Sequence, residues 1–191
     1  MSETIHRYLV VDLEATCDDQ GAVPREESEI IEIGAVLVDA ATLAPIAEFQ
    51  TFVRPRVHPR LSPFCVELTT ITQADVAGAP PFRAVAPKLA AFGQGALFCS
   101  WGGYDRNQLA RDARRAGVRA PLGPGHLNLK EAFARAAGEA QSGTYGALRR
   151  VGLEPTGTHH RGIDDARNIA RLLPYALGRA AIPARGARRP R

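Results

Sequence analysis

Cysteine is scarce. The chain has three, Cys17, Cys65 and Cys99, widely spaced and odd in number. None forms a C-x-x-C pair, which argues against a structural zinc site and against a disulfide framework. Free, scattered thiols fit a reducing, cytoplasmic setting. Long apolar runs are also missing: no stretch of 18 apolar residues occurs, so no membrane span is expected. The opening residues, Met1 to Arg7, lack the shape of a signal peptide. No internal repeat and no interior linker breaks the 191 residues, a length that suits one domain with a sizeable core. That domain is expected to span residues 1–178.

Acidic residues are absent from the last thirteen positions. Residues 179–191 carry five arginines, Arg179, Arg185, Arg188, Arg189 and Arg191. The formal net charge is +4, so without that tail the body is near −1. The tail reads as basic and disordered, with some non-specific affinity for phosphate or a purely solubilising role. The body is no basic nucleic-acid platform. Positive potential at any phosphate site must come largely from bound metal.

What the chain does have is carboxylates inside its apolar elements. Residues 8–14, Tyr-Leu-Val-Val-Asp-Leu-Glu, read as a buried strand. Side chains alternate along a strand, so Asp12 and Glu14 share a face with Tyr8 and Val10. Two adjacent carboxylates repel each other and resist desolvation, and a divalent cation offsets both costs. All-oxygen ligands suit Mg²⁺ or Mn²⁺ rather than Zn²⁺. Solvated acids at a strand end would be the bland alternative.

Further acids lie downstream. Asp105 follows the apolar run 96–101 and precedes a helix-like stretch over 106–116, where a helix N-cap is its simplest role. Residues 163–177 read as an amphipathic helix. Asp165 shares its apolar stripe with Ile169, Leu172 and Ala176, whereas Asp164 falls with Asn168 and Arg171 on the expected wet side. Asp165 is therefore the acid that needs a partner.

The order Asp12-x-Glu14, Asp105, then His160 five residues before Asp165 resembles the DEDDh exonucleases of the DnaQ-like, RNase H-related superfamily. Within it, the chain is similar to the enhanced-RNAi and histone-mRNA 3′-exonuclease branch. The segments that carry this are Leu13-Glu14-Ala15-Thr16-Cys17, Glu29-Ile30-Ile31-Glu32, Phe52-Val53-Arg54-Pro55, residues 61–72, Ser100-Trp101 and residues 162–171. The resemblance spans residues 7–177. It implies a two-metal 3′–5′ exonuclease acting on single-stranded nucleic acid 3′ ends, with RNA favoured over DNA and nucleoside 5′-monophosphates as product. Asp12, Glu14, Asp105 and Asp165 would hold two Mg²⁺ or Mn²⁺ ions, and His160 would be the general base. Gly162 beside it would make the base loop mobile. His159 is the competing base; its five-residue partner is Asp164. The resemblance also implies contacts of Ala15, Thr16, Phe64, Leu68 and Trp101 with the terminal nucleotide. Phe64 and Leu68 are four apart, one face of a helix, although ordinary core packing would explain them equally. This chain places Gly102-Gly103-Tyr104 between Trp101 and Asp105.

The element pattern fits that family. Strands are expected at 7–14, 30–39, 46–54, 96–101 and 127–129. Helices are expected at 63–70, 72–76, 83–93, 106–116, 130–137, 144–151 and 163–177. This makes a mixed α/β sheet of about five strands, the first three antiparallel, flanked by helices: an RNase H-like architecture. Two other readings remain open. One is a DNA proofreading or repair exonuclease, for which no linker or clamp-binding extension is visible. The other is a non-catalytic regulatory protein on the same fold, which would have no need of buried acids. No accessory nucleic-acid domain is apparent, which leaves room for a protein partner to supply selectivity.

Overall fold

A nearly continuous apolar run, buried on both faces, places the first strand, β1 (Arg7–Ala15), at the centre of the sheet. In the computed structural model, which describes residues 4–123 and 125–184, it pairs antiparallel with β2 (Ile30–Asp39). That strand pairs antiparallel with the edge strand β3 (Pro45–Phe52). The link between β2 and β3 is short, as antiparallel neighbours allow. On the other side, β1 pairs parallel with β4 (Leu97–Ser100), which pairs parallel with β5 (His126–Asn128). The sheet is mixed and five-stranded with its first three strands antiparallel, as expected, and its order is β3-β2-β1-β4-β5.

Seven helices among the described residues complete the fold: α1 (Pro63–Thr69), α2 (Gln73–Ala77), α3 (Phe82–Phe92), α4 (Tyr104–Ala116), α5 (Leu129–Ala137), α6 (Thr144–Arg150) and α7 (Gly162–Ala176). Each face of the sheet has its own core. Leu9, Val11 and Leu13 pack with Val85, Leu89, Leu109 and Ala113 of α3 and α4. Tyr8 and Val10 pack with Leu129, Phe133, Leu148, Ile169, Leu172 and Leu173 of α5–α7. This alternation puts Asp12 and Glu14 on the α7 side, because they share the parity of Tyr8 and Val10.

Two glycines set how closely α7 approaches the sheet. A Cβ on Gly34 would lie 2.1 Å from the Gly162 carbonyl carbon, and a Cβ on Gly162 would lie 3.1 Å from the Asp12 carbonyl oxygen. Gly162 is buried, and its N–H donates to Glu32 Oε2 at 3.0 Å. Its role is close approach rather than the mobility expected of it. Gly34→Ala is expected to destabilise the protein by about 1–3 kcal/mol, the usual cost of overpacking a backbone contact. A denaturant melt checks this, and an unchanged midpoint would remove the contact's importance.

Small boundary differences have local causes. Asp105 is not the cap of α4: Gly103 occupies that position, and Asp105 sits inside the first turn, buried. Asn168 is not on a wet face. It is fully buried, with its amide bonded to Thr156. Of the expected tail, residues 179–184 are described. Ile182 packs on the α7-side core, and the Pro183 carbonyl accepts from Arg150 Nη1 at 2.7 Å, so contacts with the body continue past residue 178. Residues 185–191, where the remaining tail arginines were placed, lie outside the described residues.

Candidate active site

The carboxylates expected together are brought together where β1 meets α7. Asp12, Glu14 and Asp165 each offer an oxygen within 4.8 Å of the others. They line a cleft of about 640 Å³. Asp105 lies outside that trio but lines the same cleft. Its placement follows from the sheet: β4 stops at Ser100 while β1 runs on to Ala15, and the Leu13 N–H donates to Asp105 Oδ1 at 3.2 Å.

Crowding shows in the electrostatics. Burial raises Asp12 well above the carboxylate range, with Asp105, Glu14 and Asp165 adding repulsion. Glu14 is pushed up to about 8, by burial first and then by Asp165. Burial raises Asp105 to about 7, and it raises Asp165 as well. Asp165 Oδ2 accepts from the His160 N–H at 2.9 Å, whereas its buried Oδ1 has no hydrogen-bond partner among the described residues. Buried carboxylates without cationic partners are costly, and an unpartnered one is rare. This donor set, all oxygen and mutually repelling, fits divalent cations.

His160 stands at φ +59°, a left-handed conformation uncommon for a residue with a side chain. Such a conformation persists when its surroundings over-determine it. Its backbone bond to Asp165 is one constraint. Its ring stacks on His159 at 3.8 Å, and His159 in turn lies 4.0 Å from Tyr145. Burial lowers the His160 pKa, with His159 contributing. The imidazole is therefore neutral near pH 7 and able to accept a proton.

The expected nucleotide-contact residues divide. Ala15, Leu68 and Trp101 line the cleft. Trp101 is held by its Nε1–H to the Ser142 carbonyl and by Phe133, 5.8 Å away. Phe64 and Leu68 do share a face of α1, but Phe64 is not part of the cleft lining. Thr16 is buried, with its N–H on the Glu29 carbonyl and its hydroxyl accepting from Glu29 N–H. Its amide and side chain serve the loop rather than the cleft.

The exonuclease (RNase_T) family model matches residues 9–173. The chain belongs to this exonuclease family. Human ERI1 exoribonuclease 3 is 32% identical over 189 residues, covering 93% of this chain and 55% of its own length. The chain thus spans about half the length of such relatives. The Drosophila 3′–5′ exonuclease Snipper is 33% identical over 188 residues, with coverage of 86% and 67%. Among solved structures, the nuclease domain of 3′hExo, a DEDDh member bound to rAMP, superposes with a TM-score of 0.85 at 27% identity. That match covers 96% of this chain and 98% of the other. The five-stranded sheet and its helices are those of this family's fold.

Other cleft residues of this exonuclease family member escaped sequence reasoning. Tyr145 lies beside Asp165, and burial with that carboxylate pushes its phenol up to about 12. Arg149 is the one arginine or lysine among the described residues lining the cleft. Neither stood out in a short helix whose pattern is merely amphipathic. His159, weighed above as the competing base, enters a second cluster with His160 and Asp165.

Proposed function

We propose that this chain is a divalent-metal-dependent 3′–5′ exonuclease that hydrolyses single-stranded RNA to nucleoside 5′-monophosphates. The observation that carries this reading is the cluster of Asp12 with the buried Glu14 and Asp165, with an unpartnered Asp165 oxygen, beside His160. Asp12, Glu14, Asp165 and Asp105 would hold Mg²⁺ or Mn²⁺. When bound, such ions polarise the phosphoryl oxygens and stabilise both attacking and leaving oxygens. His160 takes the proton from the attacking water, and its depressed pKa keeps it unprotonated near neutrality. Leu68 and Trp101 supply an apolar platform on which a terminal base can rest. Arg149 offers charge to a phosphate in a cleft that also carries the four acids.

RNA is favoured over DNA because the ERI1 relatives are named exoribonucleases and one solved neighbour holds rAMP. Action at the 3′ end makes a direct prediction. RNA blocked at its 3′ terminus resists digestion, RNA blocked at its 5′ terminus is degraded at the normal rate, and matched DNA is cut more slowly. Gel analysis of end-labelled strands with Mn²⁺ tests all three. Cleavage of a circular single strand would show an endonuclease and defeat the proposal.

A further inference from the structure

We infer that Asp164 is a positioning residue that sets the geometry of the base loop, an inference that rests on the proposed role of His160. The loop before α7 is tied to that helix at every second residue. Thr156 N–H donates to Asn168 Oδ1 at 3.1 Å, Thr158 N–H to Asp164 Oδ2 at 2.9 Å, and His160 N–H to Asp165 Oδ2 at 2.9 Å. Asn168 and Asp165 lie on the buried side of α7. Asp164 is the outer member, and it is itself braced. Its Oδ1 accepts from Arg167 Nη1 at 2.9 Å. Arg167 grips both Glu48 oxygens on β3, at 3.0 and 2.6 Å. The ties therefore run from the sheet edge through Arg167 and Asp164 to the loop.

Loop and carboxylate are fitted to each other. Gly157 has φ +75°, and a Cβ there would fall 2.3 Å from the Asp164 carboxyl carbon. The fit leaves no room for a side chain, so the loop approaches Asp164 through a glycine. Three residues further on, His160 is held in its left-handed conformation. Releasing the middle tie lets that conformation relax, because such backbone states last only while neighbours enforce them. Asp164 itself is absent from the cleft lining, so it acts on the reaction through His160.

The test uses Asp164→Ala, Asp164→Asn and Gly157→Ala in the full chain, each alone and with His160→Ala. Asp164→Ala should lower kcat on single-stranded RNA about 10- to 100-fold, the scale of a catalytic group displaced by an ångström, with KM within about twofold. Asp164→Asn keeps an acceptor for Thr158 N–H and should restore most of the rate. Gly157→Ala, which pushes on the same contact from the loop side, should imitate Asp164→Ala. In the His160→Ala background the Asp164→Ala cost should vanish, since partners in one unit are non-additive. Amide hydrogen exchange supplies a second readout that needs no activity. The His160 amide, whose own acceptor Asp165 is untouched, should exchange faster in Asp164→Ala and not in Asp164→Asn. A wild-type protein that leaves RNA intact would sink the proposed activity, while the His160 amide still reports on Asp164. Unchanged exchange at His160, or an undiminished cost without His160, would overturn the inference.

Discussion

Chelating divalent ions abolishes RNA hydrolysis by this protein, and adding Mg²⁺ or Mn²⁺ in excess restores it: that is the first expected result. The same ions should also stabilise the fold. Without metal, the folded cluster holds protons that the unfolded chain releases. Glu14 moves from 4.5 to about 8 and Asp105 from 3.8 to about 7. For carboxylates raised in this way, the folded state binds more protons between about pH 4 and pH 8. Metal-free stability therefore falls as pH rises through that window. Metal replaces those protons, so its stabilisation should be larger at pH 8 than at pH 6. At a hundredfold excess over Kd the gain is about 2.7 kcal/mol. For a domain of this size that is roughly 5–10 °C in Tm. Melting curves at both pH values with and without Mg²⁺ or Mn²⁺ decide the matter. Full activity in excess chelator, or a Tm indifferent to both ions, would remove the metal site.

The acids were legible in the sequence because each lies on a periodic element. Asp12 and Glu14 carry the parity of Tyr8 and Val10, and β1 keeps its register with β2 through Glu14. Asp165 falls on the stripe of Ile169 and Leu172, and α7 buries that stripe. The antiparallel β2–β3 pairing followed from their short link, and the mixed sheet from the alternating elements after it. Contacts between distant segments were not legible. Gly34 and Gly162 meet over 128 residues of chain, and a glycine displays no pattern that names its neighbour. Asn168 was placed in solvent because amides are mostly exposed. It is buried here because Thr156 satisfies both ends of its amide. Its neighbour Asp164 lies partly buried between the loop and Arg167, less open than a wet helix face implies. The same blind spot hid Tyr145, whose contact with His159 requires α6 and the loop before α7 to be docked.

Substitution of His160 by alanine should lower turnover about 10²- to 10⁴-fold, the usual worth of a general base. The metal cluster survives this change, since the bond to Asp165 comes from the His160 backbone. The Mn²⁺ concentration giving half-maximal stabilisation should therefore stay near the wild-type value. Asp165→Asn should also remove activity but by another route: it takes away one of three clustered carboxylates, so the Mn²⁺ midpoint should rise. His159 is the sharper comparison. Its ring stacks on His160 and beside Tyr145, and losing a stacked ring is worth about 0.5–1.5 kcal/mol. That corresponds to roughly a two- to tenfold loss for His159→Ala, well short of the loss at His160. Asp164→Asn, which retains an acceptor for the loop, should keep most activity. Measuring these four variants on one RNA at saturating Mn²⁺ assigns the pair. Should His159 and Asp164 prove the sensitive residues, the base is His159. The left-handed turn at His160 would then serve to present its neighbour rather than itself.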